Sequence, residues 1–215
     1  MDDFEDVRRQ MVDCQVRTVD VTDLALLAAL ETVPREAFVP AGKEKNAYLD
    51  LDVDLGGGRY LMRPGIFARL VGLAEPQKTE RVLLVGDATG YGAAVLARLA
   101  ASVVSLDVEP ALSAVARDKL AGLANVTVAT GPLPDGYAAG APYDLILVEG
   151  ATETGLDTLL GQLADPGRLV AVDGEGGAAF VKVYTRADGV LSVRTAFNAA
   201  VKLLPGFRKA PAFVF

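Results

Sequence analysis

The chain has 215 residues, 51% hydrophobic and 23% charged, which suits one compact domain and excludes global disorder. A formal charge of −7 repels nucleic acid and anionic membranes, and no basic patch interrupts it. The absence of histidine excludes Ser-His-Asp and Cys-His machinery, while the lone Cys14 excludes an internal disulfide and a thiolate zinc cluster.

The N-terminus reads Met1-Asp2-Asp3-Phe4-Glu5-Asp6, acidic where a signal peptide is basic and then apolar. The apolar run from Ala93 to Val104 is broken by Arg98 and too short to span a bilayer. A soluble cytoplasmic protein is the expectation. From Phe4 to Val33 two helices are expected. Val7, Met11, Cys14 and Val16 form the first stripe; Leu24, Leu26, Leu27, Leu30 and Val33 form the second, behind the cap candidates Asp20 and Thr22. Leu49 to Leu55 alternates leucine or valine with Asp50, Asp52 and Asp54, the pattern of a half-buried extended segment with an acidic solvent face. The same aspartates suggest a calcium loop, but its sixth and twelfth positions are Leu55 and Leu61 rather than Gly and Glu, so no metal is expected.

Residues 1–63 read as an N-terminal helical cap and 64–215 as one α/β unit. A helix from Pro64 to Leu73 precedes the apolar strand Val82 to Val85. The turn Gly86-Asp87-Ala88-Thr89-Gly90 then leads into a helix over about 91–101 and the strand Val103 to Asp107. A helix from Pro110 to Leu123 follows, then strands at 126–129 and 145–148, a helix near 156–163 and a strand at 168–172. This alternation predicts a Rossmann-like, doubly wound, mostly parallel α/β sheet. Segments 179–184 and 190–197 flank Asp188-Gly189, which predicts a closing antiparallel hairpin.

In such sheets ligands sit at the carboxyl ends of the strands, where strand order reverses. Gly86 to Gly90 offers free N–H groups and a helix N-terminus, and Asp107, 21 residues after Gly86, can accept both ribose hydroxyls. Together they point to a nucleoside site. A dinucleotide fingerprint would need Gly at 88 and 91, where this chain has Ala88 and Tyr91. Gly86…Gly90 matches instead the Gly-x-Gly-x-Gly turn of class I methyltransferases, with two of three glycines kept.

Further blocks extend the likeness: Met11 to Arg17, Val33-Pro34-Arg35-Glu36-Ala37-Phe38-Val39-Pro40, Ala47-Tyr48, Pro142-Tyr143-Asp144 and Pro166 to Val170. On these the chain resembles the protein-L-isoaspartate O-methyltransferases over most of its length. The resemblance implies S-adenosylmethionine as cofactor, held by Gly86, Asp87, Ala88, Thr89, Gly90, Asp107 and Gly131, and a protein or peptide carboxylate as substrate, without nucleic-acid or membrane partners. Methyl transfer to a carboxylate is an in-line displacement at a sulfonium carbon by a nucleophile already ionised at neutral pH, so it needs alignment and exclusion of water rather than a base.

The motifs depart from the family's at functional positions. Leu84 stands where the family has an acid, Ala88 replaces its middle glycine, and Pro132 replaces the acid that reaches the adenine. The family's Gly-Gln-Thr-Ile-Ser-Gln-Pro becomes Gly58-Arg59-Tyr60-Leu61-Met62-Arg63-Pro64. Tyr60, Arg59 and Arg63 are therefore the candidate substrate-cleft residues: the arginines either engage an acidic group or pair with Asp50, Asp52 and Asp54, and Tyr60 offers one hydrogen bond. Glu149 and the apolar segments Leu203 to Phe207 and Ala212 to Phe215 are further candidates for ligand contact and for packing on the sheet or a partner, respectively. Two readings stand: a carboxyl methyltransferase with degenerate motifs, and a non-catalytic binding or scaffold protein on the same fold.

Overall fold

The computed structural model describes residues 4–210, so the acidic start at 1–3 and the closing run Ala212 to Phe215 lie outside the described residues. Helix α1 (Phe4–Met11) carries acids in its first turn and arginines in its last, which suits the helix dipole. It widens into a π-type turn at Val12–Val16 and a tight turn at Arg17–Val19. That break rotates the expected stripe: Met11, Val12 and Val16 are buried, whereas Cys14 is exposed. Helix α2 (Leu24–Thr32) is capped by Asp23, whose carboxylate accepts from the Leu26 N–H at 2.7 Å. Neither Asp20 nor Thr22 is the cap; Asp20 closes the preceding turn at φ +65°.

The extended segment is shorter than its alternation implies. Strand β1 (Val53–Gly56) pairs antiparallel with β2 (Arg59–Leu61), while Leu49 and Leu51 lack a strand partner and are exposed. Gly56, Gly57 and Gly58 make the turn at φ +89°, +62° and +74°, which only glycine adopts readily in succession.

Helix α3 (Pro64–Ala74) leads to β3 (Arg81–Val85), α4 (Tyr91–Leu96), β4 (Ser102–Asp107), α5 (Pro110–Leu120) and β5 (Val126–Thr130). Then come β6 (Tyr143–Thr152), α6 (Asp157–Gly161), β7 (Leu163–Asp173), β8 (Phe180–Ala187) and β9 (Val190–Asn198). Helix α4 stops five residues before its expected end, because after Leu96 the chain tightens and Ala101 N–H bonds to Glu80 O ahead of β4. The sheet order is β5-β4-β3-β6-β7-β8-β9, parallel from β5 to β7 and antiparallel at β7-β8-β9. Asp188 and Gly189 both have positive φ, as a two-residue primed turn requires. The fold is thus the doubly wound α/β sheet with a C-terminal hairpin. No helix among the described residues is long and apolar enough to cross a membrane.

Alternation along the strands sorts the core onto two faces. Val82, Leu84, Leu145 and Leu147 meet α2, α3 and α4, and Leu83, Val85, Ile146 and Val148 meet α6 and the C-terminal segment with Leu204 and Phe207. Gly90 sits where the loop meets α5: its φ is +96°, and an added Cβ would lie 2.8 Å from Leu120 Cδ1. Gly90→Ala is expected to cost about 2–3 kcal/mol, from left-handed strain plus overpacking. A urea titration reads this as a lower midpoint with unchanged slope.

Candidate functional site

Strand order reverses at β3, with β4 on one side and β6 on the other, so the crevice at their carboxyl ends is where an open α/β sheet takes a ligand. The loop Gly86 to Gly90 lines it. Asp87 is turned inward to cap α4: its buried carboxylate accepts from Gly92 N–H at 2.8 Å, from Ala93 N–H at 3.3 Å and from Ser105 Oγ at 2.6 Å. Burial pushes its pKa up to about 6, with those hydrogen bonds opposing the rise. Thr89 is turned away as well, donating to Phe38 O at 2.7 Å. Ala88 holds the left-handed conformation at φ +55°, a position that favours glycine.

Asp107, at the end of β4, is buried and fully engaged. Its Oδ2 accepts from Arg59 Nη2 at 2.8 Å, Arg59 Nε at 3.2 Å and Ala88 N–H at 3.0 Å, and its Oδ1 accepts from Glu109 N–H at 3.0 Å. Arg59 Nη2 also donates to Gly86 O at 2.7 Å, so the guanidinium spans the loop and the acid. Only 3% of Arg59 is exposed. Gly131 N–H bonds to Asp107 O at 3.0 Å, and Pro132, next in the chain, offers no N–H.

Across the crevice the register between β6 and β7 is irregular from Leu147 to Ala151, a bulge that holds Glu149 and Gly150. Glu149 Oε2 is buried without a hydrogen-bond partner, and a Cβ added at Gly92 would meet it at 2.6 Å and Asp87 Oδ1 at 3.0 Å, so the two carboxyl groups flank one glycine. Burial first, and Asp87 second, raise the Glu149 pKa well above the carboxylate range. Leu204 fills the remaining space: its side-chain carbons lie 2.5–3.1 Å from a Cβ added at Gly150 and 3.0–3.1 Å from one at Gly86. The cavity left among Arg59, Met62, Glu149 and Leu204 is about 10 Å³, room for one water at most. A roomier cleft of about 610 Å³ lies elsewhere, between residues 19–23 and the end of α3, and it touches none of these groups.

The substrate-cleft candidates separate. Arg63 Nε stands 3.5 Å from Asp52 Oδ1 in a half-buried pair, while Tyr60 is half-buried with Lys202 Nζ 5.1 Å from its ring centre. Asp54 accepts from Gly56 N–H and lies 3.9 Å from Lys43 Nζ. No acidic cluster among the described residues forms a metal site. One contributor escaped the sequence reading. Arg35, fully buried, donates to Ala47 O and Met62 O and lies 4.6 Å over the Tyr91 ring, tying the segments before α3 to α4. Leu204 lies in the run expected to pack on the sheet, but its place over the crevice glycines carried no local signal.

The family model described as Protein-L-isoaspartate(D-aspartate) O-methyltransferase (PCMT) matches residues 8–205. The chain is 42% identical over 167 residues to a protein-L-isoaspartate O-methyltransferase of Methanoregula boonei, covering 77% of each chain. It is 37% identical over 207 residues to one from Opitutus terrae, covering 95% of this chain and 88% of the relative. Among solved structures it resembles a Plasmodium falciparum beta-aspartate methyltransferase (PCMT) in complex with S-adenosyl-L-homocysteine, with a TM-score of 0.77, 16% identity, and 92% and 97% of the two chains covered. That likeness is one of fold.

Proposed function

The chain belongs to the protein-L-isoaspartate(D-aspartate) O-methyltransferase family, and from that premise we propose that it is a non-catalytic member, a methyltransferase-fold binding or scaffold protein that does not hold the methyl donor. The observation that carries this reading is the Arg59–Asp107 pair: the one acid positioned to accept ribose hydroxyls already accepts three N–H groups on Oδ2 and one on Oδ1. The surrounding residues agree with it. Leu84 is buried apolar core where the family's acid would stand, Ala88 places a methyl group on the loop, Pro132 lacks a donor, and Leu204 stands over Gly86 and Gly150. In this arrangement the residues do not fit S-adenosylmethionine.

Titration calorimetry with S-adenosylmethionine and S-adenosylhomocysteine tests the reading. No heat at millimolar ligand is expected. A dissociation constant in the micromolar range, about −8 kcal/mol, would overturn it. The second reading, S-adenosylmethionine-dependent methylation of a protein or peptide carboxylate, is favoured by the names of the relatives at 37–42% identity. It requires both Arg59 and Leu204 to leave the crevice.

A further inference from the structure

We propose that Arg59 is a built-in occupant of a latent nucleoside seat, an autoinhibitory side chain whose removal opens Asp107 to a ligand bearing a cis-diol. The inference rests on the reading that the unaltered chain does not hold the donor. It adds that the seat is closed by one side chain rather than lost.

The argument starts from how Arg59 is delivered. Three successive glycines at positive φ and a register slip between Asp54 and Gly56 bring the first residue of β2 over the crevice. From there the guanidinium reaches an acid 48 residues away in the chain and the carbonyl of the loop's first glycine. Arg59 presents N–H groups to Asp107 Oδ2 as a vicinal diol would present O–H groups, with a positive charge added. The rest of the seat stays formed without it. Ala88 N–H and Glu109 N–H hold the carboxylate, Gly131 N–H ties the next strand's loop to Asp107 O, and Gly86 N–H bonds to Leu106 O. These bonds are independent of Arg59, so truncating it vacates space beside an acid that keeps its orientation.

Leu204 is a second and separate obstruction. It stands over Gly86 and Gly150, on a segment anchored by Leu204 N–H to Ala151 O at 2.9 Å and by the burial of Phe207 on the α6 face of the sheet. A bare nucleoside needs only the Arg59 space; a nucleoside carrying an amino-acid tail needs both.

The test is calorimetric titration of the full chain and of Arg59→Ala, Leu204→Ala and the double variant with adenosine, 2′,3′-dideoxyadenosine and S-adenosylhomocysteine, each variant first checked for folding by circular dichroism. The unaltered chain and Leu204→Ala are expected to be silent. Arg59→Ala is expected to bind adenosine at least about tenfold more tightly than the detection limit of the unaltered chain and to ignore the dideoxy analogue. S-adenosylhomocysteine is expected to bind only the double variant. A folded Arg59→Ala that stays silent, or that binds both nucleosides equally, overturns the inference while leaving the proposed function intact. Binding by the unaltered chain overturns the proposed function itself. If Arg59→Ala does not fold, Arg59→Met is read by the same two outcomes, since it keeps an unbranched apolar stem in the space but offers no N–H to Asp107 or Gly86 O.

Discussion

Asp107→Ala is expected to lower the unfolding free energy by about 3–5 kcal/mol, the cost of leaving a buried guanidinium without its counter-charge. Arg59 is 3% exposed and its ion pair with Asp107 is 2.8 Å long, so solvent does little to screen the loss. The carboxylate also accepts the Ala88 and Glu109 N–H groups, so the loop after β3 loosens together with the pair. Adding Arg59→Leu to Asp107→Ala is expected to recover part of the loss, because a charge-free pocket of similar volume is tolerated better than a half-pair. Urea unfolding of the two single variants and the double gives the cycle directly. Additive losses would mean that the two side chains are energetically independent and that the crevice is not held shut by their contact.

The second large effect is on pH dependence and comes from Glu149 and Asp87. Burial raises both acids, Asp87 to about 6 and Glu149 well above the ordinary carboxylate range, each above its value in the unfolded chain. A raised acid binds more protons in the folded state than in the unfolded one. Its stabilising contribution is therefore complete below the unfolded pKa and is lost as pH rises through the folded pKa. Stability is expected to fall from about pH 4 to 6 as Asp87 titrates, and Glu149, raised in the same direction, adds to the loss as pH rises. Glu149→Gln removes the second part. Its amide also offers a donor beside the Asp87 carboxylate, where Glu149 Oε2 now has no partner. At pH 8 its melting temperature is expected to exceed that of the unaltered chain by several degrees, with a smaller difference at pH 5. Parallel melting curves for the two proteins from pH 5 to 8 would contradict the placement of Glu149 as a buried, partnerless acid.

Positioning explains how the interior tolerates so many charges. Arg35 and Arg59 supply two buried cations near Asp87, Asp107 and Glu149, and both oppose the rise that burial imposes on Glu149. Arg35 serves a further structural purpose, because its bonds to Ala47 O and Met62 O join the turn after α2 to the residues just before α3. Arg59 and Arg35 thus approach one crevice from two segments that precede α3.

The chain's order of strands and helices follows from short-range physics, and the sequence by itself determined it. Apolar runs such as Val82 to Val85 and Leu145 to Val148 are solvent-free on both faces and read as buried parallel strands. Asp188-Gly189 specifies the hairpin because few residues other than glycine and its polar neighbours take positive φ at both turn positions. The family was legible for the same reason: its blocks sit in these elements. Where pairing partners matter, local pattern falls short. The 49–55 alternation extends as strand only from Val53, since no neighbouring strand reaches Leu49 and Leu51. The state of the crevice was decided only by the tertiary structure. Arg59 meets Asp107 across 48 residues, Leu204 covers Gly86 from the far end of the chain, and a bulge in β6 holds Glu149 beside Asp87. Each of these contacts depends on where distant backbone segments come to rest, and side-chain identity alone does not encode that distance.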